Sequence, residues 1–399
     1  MKILHVTNFF KPSWETGGPA RVAYELSKKL VERGHEVTVY TTDGFKSRLN
    51  VKKNSAIDVD GIKVYYFRNL SNYLAGHMNM PVPYYLPFVA RREIRDFDVI
   101  HIHEHRTMLA AVVRHYAKKY GVPYVLQPHG STPRLIAKKR RKWLFDAVFG
   151  YGILKDASKL IALTRTEAEQ YKKMGVGEDK IKIVPNGIDP SEYENLPERG
   201  EFRKRYSIRE DEKIILYLGR IHERKGIDLL VKAFADLVKE LGEVRLIIVG
   251  PDDGFLSKLK RQIEDLKFSN KILLTGPLYE KDKLSAYVDA DVLVYPAIFE
   301  IFGLVPFEAI MCGTPVIVTD DCGCGELVEE SGSGYLVKYG DISDLKEKLK
   351  WVIENPAEGK AMTERGRRYI KDNLTWEKVV ENVECRYTDC IVLANRHTV

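Results

Sequence analysis

The chain reads as an α/β protein of two units, each a mostly parallel sheet covered by helices. Three observations predict this. Its 399 residues, 44% of them hydrophobic, are too many for one core and enough for two. Short apolar runs alternate with segments whose apolar residues recur at helical spacing. The alternation then restarts near Ile208, beyond the stretch PNGIDPSEYENLPERG (Pro185 to Gly200), whose three prolines and two glycines mark a loop or linker.

In order along the chain, KILHVTNFF predicts a first strand and ARVAYELSKKLVERG a helix. HEVTVYTT, DVIHIHEH and PYVLQPHG are further strands. In the second unit KIILYLGR, VRLIIVG, KILLTG, DVLVYP and TPVIVTD read as buried strands, with LLVKAFADLVKEL and KLSAYVDA as helices between them. The last segment, TWEKVVENVECRYTDCIVLA, is helical by period and could pack on either unit. The expected division is 1–190 and 191–375, with the helix at about 376–399 returning to the first unit. Ligands of such sheets bind beyond the carboxyl ends of the strands, so the loops after strands are the ones to read, facing a cleft shared by the two units.

Bulk charge narrows the partners. With 63 basic and 56 acidic side chains the formal charge is +7, a mild excess that suits a phosphate-bearing ligand or an anionic surface and does not call for nucleic acid. MKILHVTNFF continues into polar sequence without a small-residue cleavage site, and no run reaches the length of a membrane span, so a cytoplasmic protein is expected. The five cysteines, Cys312, Cys322, Cys324, Cys385 and Cys390, lack zinc-site spacing and read as reduced thiols. Cys322 and Cys324, separated by one residue, would form a strained disulfide.

Two loops carry the chemistry. After KIILYLGR, the turn from Gly219 to Gly226 places Arg220 and Lys225 together, a planar fork and a point charge suited to a diphosphate. After DVLVYP, the stretch EIFGLVPFEAI keeps Glu300 in a loop, starts a helix near Gly303 and Pro306, and carries Glu308 within that helix to a stop at Gly313. The N–H groups near Phe302, Gly303 and Leu304 could bind anionic oxygens. A helix N-terminus offers about 0.3–2 kcal/mol, whereas a unit charge at about 4 Å offers roughly 4 kcal/mol at an effective dielectric of 20. The cations would therefore dominate and the amides orient, while the carboxylates suit sugar hydroxyls. In the first unit His129 stands at a strand end between Pro128 and Gly130. His101 and His103 share one face of a strand, with His103 near the acceptor side.

Taken together these motifs resemble the retaining glycosyltransferases of family 4. They are GR at 219–220, KG at 225–226, Glu300 followed by FGL and then Glu308, and GTPVIVTD, joined by PNGID at 185–189, GGP at 17–19 and PHG at 128–130. The resemblance implies the GT-B architecture, two Rossmann-like domains facing a central cleft, with a nucleotide-diphosphate sugar held by the second and an acceptor site formed by the first. It implies that Arg220 and Lys225 bind the diphosphate, Glu300 the sugar hydroxyls and Glu308 the ribose. Gly17 and Gly18 would let the backbone approach the diphosphate, and His129 would contact the sugar near the reacting carbon. The expected activity is transfer from a UDP- or GDP-sugar to a hydroxyl of a glycan or lipid-linked acceptor with retention, without cofactor or metal. Ile301, and DCGCG at Asp321–Gly325, depart from the family pattern beside the expected donor pocket.

Rival readings are a catalytically silent nucleotide-sugar sensor and a sugar-nucleotide epimerase of similar fold. The absence of a G-x-G-x-x-G behind a strand weakens a dehydrogenase. DVD at 58–60 and DAD at 289–291 match the metal-binding Asp-x-Asp pattern but fall in a turn and at a helix end, away from the expected site. Basic and apolar residues from Arg134 to Phe149 suggest peripheral contact with an anionic membrane surface.

Overall fold

The computed structural model describes residues 1–14, 17–44, 47–52, 54–78, 80–132, 139–321 and 323–396. The chain forms two compact units, Met1–Gly187 with Trp376–Val399, and Ile188–Thr375. The crossing lies at Gly187 and Ile188, inside the Pro/Gly stretch and just ahead of residue 190.

The first unit holds β1 (Lys2–Val6), β2 (Glu36–Thr42), β3 (Ala56–Val59), β4 (Ile62–Phe67), β5 (Val99–His103), β6 (Tyr124–Gln127), β7 (Lys159–Ala162) and β8 (Ile181–Ile183). They form one sheet in the order β3-β4-β2-β1-β5-β6-β7-β8. Neighbours are parallel except β3, which returns antiparallel on β4 through the Asp60-Gly61 turn. The second unit holds β9 (Lys213–Leu218), β10 (Val244–Val249), β11 (Ile272–Gly276), β12 (Val292–Tyr295), β13 (Val316–Thr319) and β14 (Gly334–Val337). These run parallel in the order β11-β10-β9-β12-β13-β14.

Helices on both faces explain why strands such as VLVY of β12 are buried along their whole length rather than at alternate residues. The strand order reverses at β1, flanked by β2 and β5, and at β9, flanked by β10 and β12. Open α/β sheets take their ligands at such reversals.

The last helix, Trp376–Arg396, packs on the first unit. Its stripe of Trp376, Val379, Val380, Val383, Tyr387 and Cys390 recurs at helical spacing and joins the core of Val22, Leu26 and Leu30 from helix Gly18–Glu32. At the rim, Glu384 takes Arg33 at 2.7 Å and His35 at 2.6 Å.

Candidate active site

In the second unit, the loops after β9 and β12 lock together. Arg220 and Lys225 follow β9, and Glu300 follows the neighbouring strand β12. Gly226 makes the contact between the loops possible. Its φ is 63°, and a Cβ there would lie 2.1 Å from the Pro296 carbonyl oxygen, so only glycine fits. The Ile298 N–H donates to the Arg224 carbonyl at 2.9 Å, and the Gly323 N–H donates to that of Glu300 at 2.7 Å.

Lys225 and Glu300 form an ion pair, and the two side chains share Tyr295. The Lys225 ammonium donates to Tyr295 Oη at 2.7 Å, which in turn donates to Glu300 Oε2 at 3.0 Å. Burial pushes the Glu300 carboxyl up, but the Lys225 charge, the bonds from Lys225 and Tyr295, and the Arg220 charge outweigh it and hold the group below its usual range. An ammonium has three donors and a carboxylate two oxygens, so one Lys225 N–H and Glu300 Oε1 remain for a ligand. Arg220 reaches Asp253 at 2.7 Å, but its side chain is 61% exposed, so the guanidinium is open to an incoming anion.

The helix after this loop runs Leu304–Cys312, with Gly313 in left-handed geometry as its stop. No backbone bond to a described residue engages the N–H groups of Phe302, Gly303 or Leu304. The Phe302 ring is buried against Phe307, so Phe302 can offer a ligand only its backbone. Glu308 points to helix Glu280–Asp289 instead of to Glu300, and its Oε2 accepts from Lys283 at 3.0 Å and Tyr287 at 2.8 Å.

In the first unit, Gly17 precedes helix Gly18–Glu32 with φ 101° and open space where a side chain would stand. Gly18 is the first residue of that helix and not part of the loop, because Pro19 at the start favours helical entry. His129 follows β6 in left-handed geometry, φ 51°, and Glu104 follows the adjacent β5 at φ 70°. Such geometry costs about 1–3 kcal/mol for a residue with a side chain and persists where surroundings enforce it. Here they do. Glu167 accepts the Gly130 N–H at 2.6 Å and the Leu163 N–H at 2.8 Å. Arg106 grips buried Asp146 through two bonds of 2.7 Å and donates to the Thr132 carbonyl at 2.7 Å.

Burial pushes the His129 ring down to about 3 and the Glu104 carboxyl up to about 7. His103 is corrected: its ring is 1% exposed and bonded at both nitrogens, so it supports His129 and does not meet a ligand. Sequence reasoning missed Tyr295, Asp253, Glu104 and Glu167. Only Glu104 had a local signal, its place directly after a strand end.

The Asp-x-Asp pairs are engaged elsewhere. Asp60 binds Lys11 at 2.7 Å beside the β3–β4 turn, while Asp289 accepts the Arg203 N–H at 2.9 Å and Asp291 the Ile214 N–H at 2.8 Å. Cys312, Cys385 and Cys390 are free thiols, and Cys322 lies outside the described residues. Of the segment Arg134 to Phe149, residues 134–138 lie outside the described residues. The rest forms helix Lys139–Phe145 and a π-helical turn Asp146–Gly150, with Trp143 and Leu144 exposed. Among the described residues no helix is long and apolar enough to cross a membrane.

Two parallel-sheet units, with cations behind one strand-order reversal and a strained histidine beside the other, define a glycosyltransferase of the GT-B fold. The chain belongs to family 4: residues 16–192 match the model described as Glycosyltransferase Family 4, and residues 198–369 that of Glycosyl transferases group 1. It is 27% identical to N-acetyl-alpha-D-glucosaminyl L-malate synthase of Bacillus anthracis, over 94% of each chain. It is 26% identical to D-inositol 3-phosphate glycosyltransferase of Geodermatophilus obscurus, over 94% of this chain and 85% of that one. Among solved structures, Anabaena HepE in complex with UDP superposes with a TM-score of 0.78 at 18% identity, over 98% of this chain and 100% of that one.

Proposed function

We propose that the chain is a retaining glycosyltransferase that moves a sugar from a UDP- or GDP-sugar to a hydroxyl of a glycan or lipid-linked acceptor, without a metal ion. The observation that carries this reading is the placing of Arg220 and Lys225 behind β9 and Glu300 behind β12, where the strand order of the second unit reverses. As the glycosyl–phosphate bond breaks, charge grows on the departing diphosphate and oxocarbenium character on the sugar. Fixed cations at the leaving oxygens lower that barrier.

The open Arg220 guanidinium and the remaining Lys225 N–H meet the diphosphate, and the amides of Phe302, Gly303 and Leu304 orient it. Glu300 Oε1 accepts a sugar hydroxyl. Glu308, held by Lys283 and Tyr287, presents a positioned carboxylate to the ribose. In the first unit, Gly17 and Gly18 let backbone approach the diphosphate and His129 contacts the sugar. The complexes of Anabaena HepE with UDP and with UDP-glucose support a donor of this class. The engagement of both Asp-x-Asp pairs within the fold supports metal independence. A lipid-linked acceptor would place the enzyme on the cytoplasmic face of a membrane, docked through Arg134 to Phe149 with Trp143 and Leu144 outward.

The test is transfer with a panel of UDP- and GDP-sugars in excess EDTA, with donor binding read as added thermal stability. Product of retained anomeric configuration is expected. Arg220→Ala with Lys225→Ala should slow transfer by at least about 100- to 1,000-fold. An unchanged rate in the double variant, epimer formation, or donor binding without turnover would overturn the reading.

A further inference from the structure

Behind His129 the first unit carries a chain of buried rings that the reaction above does not use. His129 Nε2 lies 3.0 Å from His103 Nδ1, and His103 Nε2 lies 3.1 Å from His5 Nδ1. His5 Nε2 lies 3.2 Å from Tyr387 Oη, which lies 2.7 Å from His101 Nδ1. The side chains come from β1, β5, the loop after β6 and the last helix. His5, His101 and Tyr387 are fully buried, and His103 is 1% exposed. One nitrogen from each of His5, His101 and His103 falls within 4.8 Å of the others, a spacing that would admit a metal ion, but these rings bond to one another and to Tyr387.

Burial keeps the rings neutral. A neutral imidazole has one N–H and one lone pair, so such a chain has two self-consistent settings, one with every donor pointing toward His129 and one with every donor pointing away. Ser27 selects between them. Its hydroxyl donates to the Ala23 carbonyl at 2.6 Å, which leaves only lone pairs for His5 Nδ1 at 3.3 Å. His5 therefore carries its proton on Nδ1, shared between Ser27 and His103 Nε2. His103 then donates from Nδ1 to His129 Nε2, and the His129 proton sits on Nδ1. In the other direction, His5 Nε2 accepts from Tyr387, which accepts from His101 Nδ1. That ends the chain at His101 Nε2, beside the buried Gln127 side chain, whose amide can present either its oxygen or its NH2 there. Since Gln127 can serve either setting, the direction is decided at the Ser27 end.

We propose that this relay locks His129 as the Nδ1–H tautomer, so that His129 meets the sugar as a hydrogen-bond donor and cannot serve as the base. Ser27, His5, His103, His101 and Tyr387 are then positioning residues. Among the described residues nothing bonds His129 Nδ1, and its lone pair at Nε2 is taken by His103. The inference rests on the reading above only in that His129 contacts the sugar; the tautomer itself is a property of the free protein.

The experiment is a long-range proton–nitrogen correlation spectrum of the full chain labelled with ¹⁵N-histidine, which shows which ring nitrogen carries the proton. Wild type should show His129 protonated at Nδ1. Ser27→Ala removes the bias, so His129 should populate the Nε2–H form and kcat/KM should fall about fivefold, the worth of one neutral hydrogen bond. Should that variant fail to fold, Ser27→Gly asks the same question by removing the same hydroxyl. An Nε2–H ring at His129 in wild type, or an unchanged tautomer in a folded variant, overturns the relay. A switched tautomer with undiminished transfer supports the relay and overturns the contact of His129 with the sugar.

Discussion

The two reversals of strand order are built from opposite chemistry. At β1 and β5 the groups are neutral imidazoles hidden in the sheet, bonded ring to ring. At β9 and β12 they are ions, Lys225 with Glu300 and the open Arg220 with Asp253, at the edge of solvent. Neutral rings transmit direction, because each can bond in only one sense at a time, but they exert little field. Ions act at a distance and bind anions, but their direction is loose.

Acidification should separate the two regions most sharply. Burial lowers the folded-state His5 ring to about 3 from an ordinary 6.5, and lowers His101 and His103 in the same direction. The unfolded chain therefore binds more protons across that window, and stability is lost as pH falls below 6.5. His5 alone would remove about 2 kcal/mol at pH 5, with the neighbouring rings adding to it and Glu104, pushed up to about 7, offsetting part of the loss. Glu300 is depressed by Lys225, so its contribution persists until pH falls below its ordinary 4.5. Hydrogen exchange at pH 7.5 and pH 5 should show the first unit loosening and the second unchanged. Equal loosening of both would erase the distinction.

A smaller effect tests what holds the histidine loop. Glu167→Ala strips the Gly130 and Leu163 N–H groups of their acceptor, and two buried donors left unpaired cost roughly 3 kcal/mol. The urea midpoint should fall at constant slope. A shift below about 1 kcal/mol would mean water or a shifted loop replaces the carboxylate.

The smallest expected effect lies in the second unit. Asp253→Asn breaks an ion pair whose side chains are 61% and 39% exposed, so stability should change by about 0.5 kcal/mol or less. A large loss would show that the Arg220 loop is built on this contact rather than merely decorated by it.

Much of this was legible from local pattern. The runs KIILYLGR, VRLIIVG, KILLTG, DVLVYP and TPVIVTD announced β9 to β13, because strands covered on both faces must be apolar throughout. LIA and IKI, the heart of β7 and all of β8, were too short and too close to lysines to stand out. Arg220, Lys225, Glu300 and His129 stood out because each follows a strand. Their partners did not. Tyr387 lies far along the chain from His5, and nothing in TWEKVVENVECRYTDC distinguishes that tyrosine from any other apolar position of the helix stripe.

By itself, then, the sequence determined the alternation of strands and helices, the division into two units and the side chains exposed at strand ends. These follow from hydrophobic period and turn chemistry, which act over a few residues. Tertiary structure alone decided that Lys225 and Glu300 share Tyr295, that Glu308 turns to Lys283, and that His129 is backed by rings from three other elements. Hydrogen bonds and ion pairs depend on angstrom separations between residues distant in the chain, and only the packed sheet sets those separations.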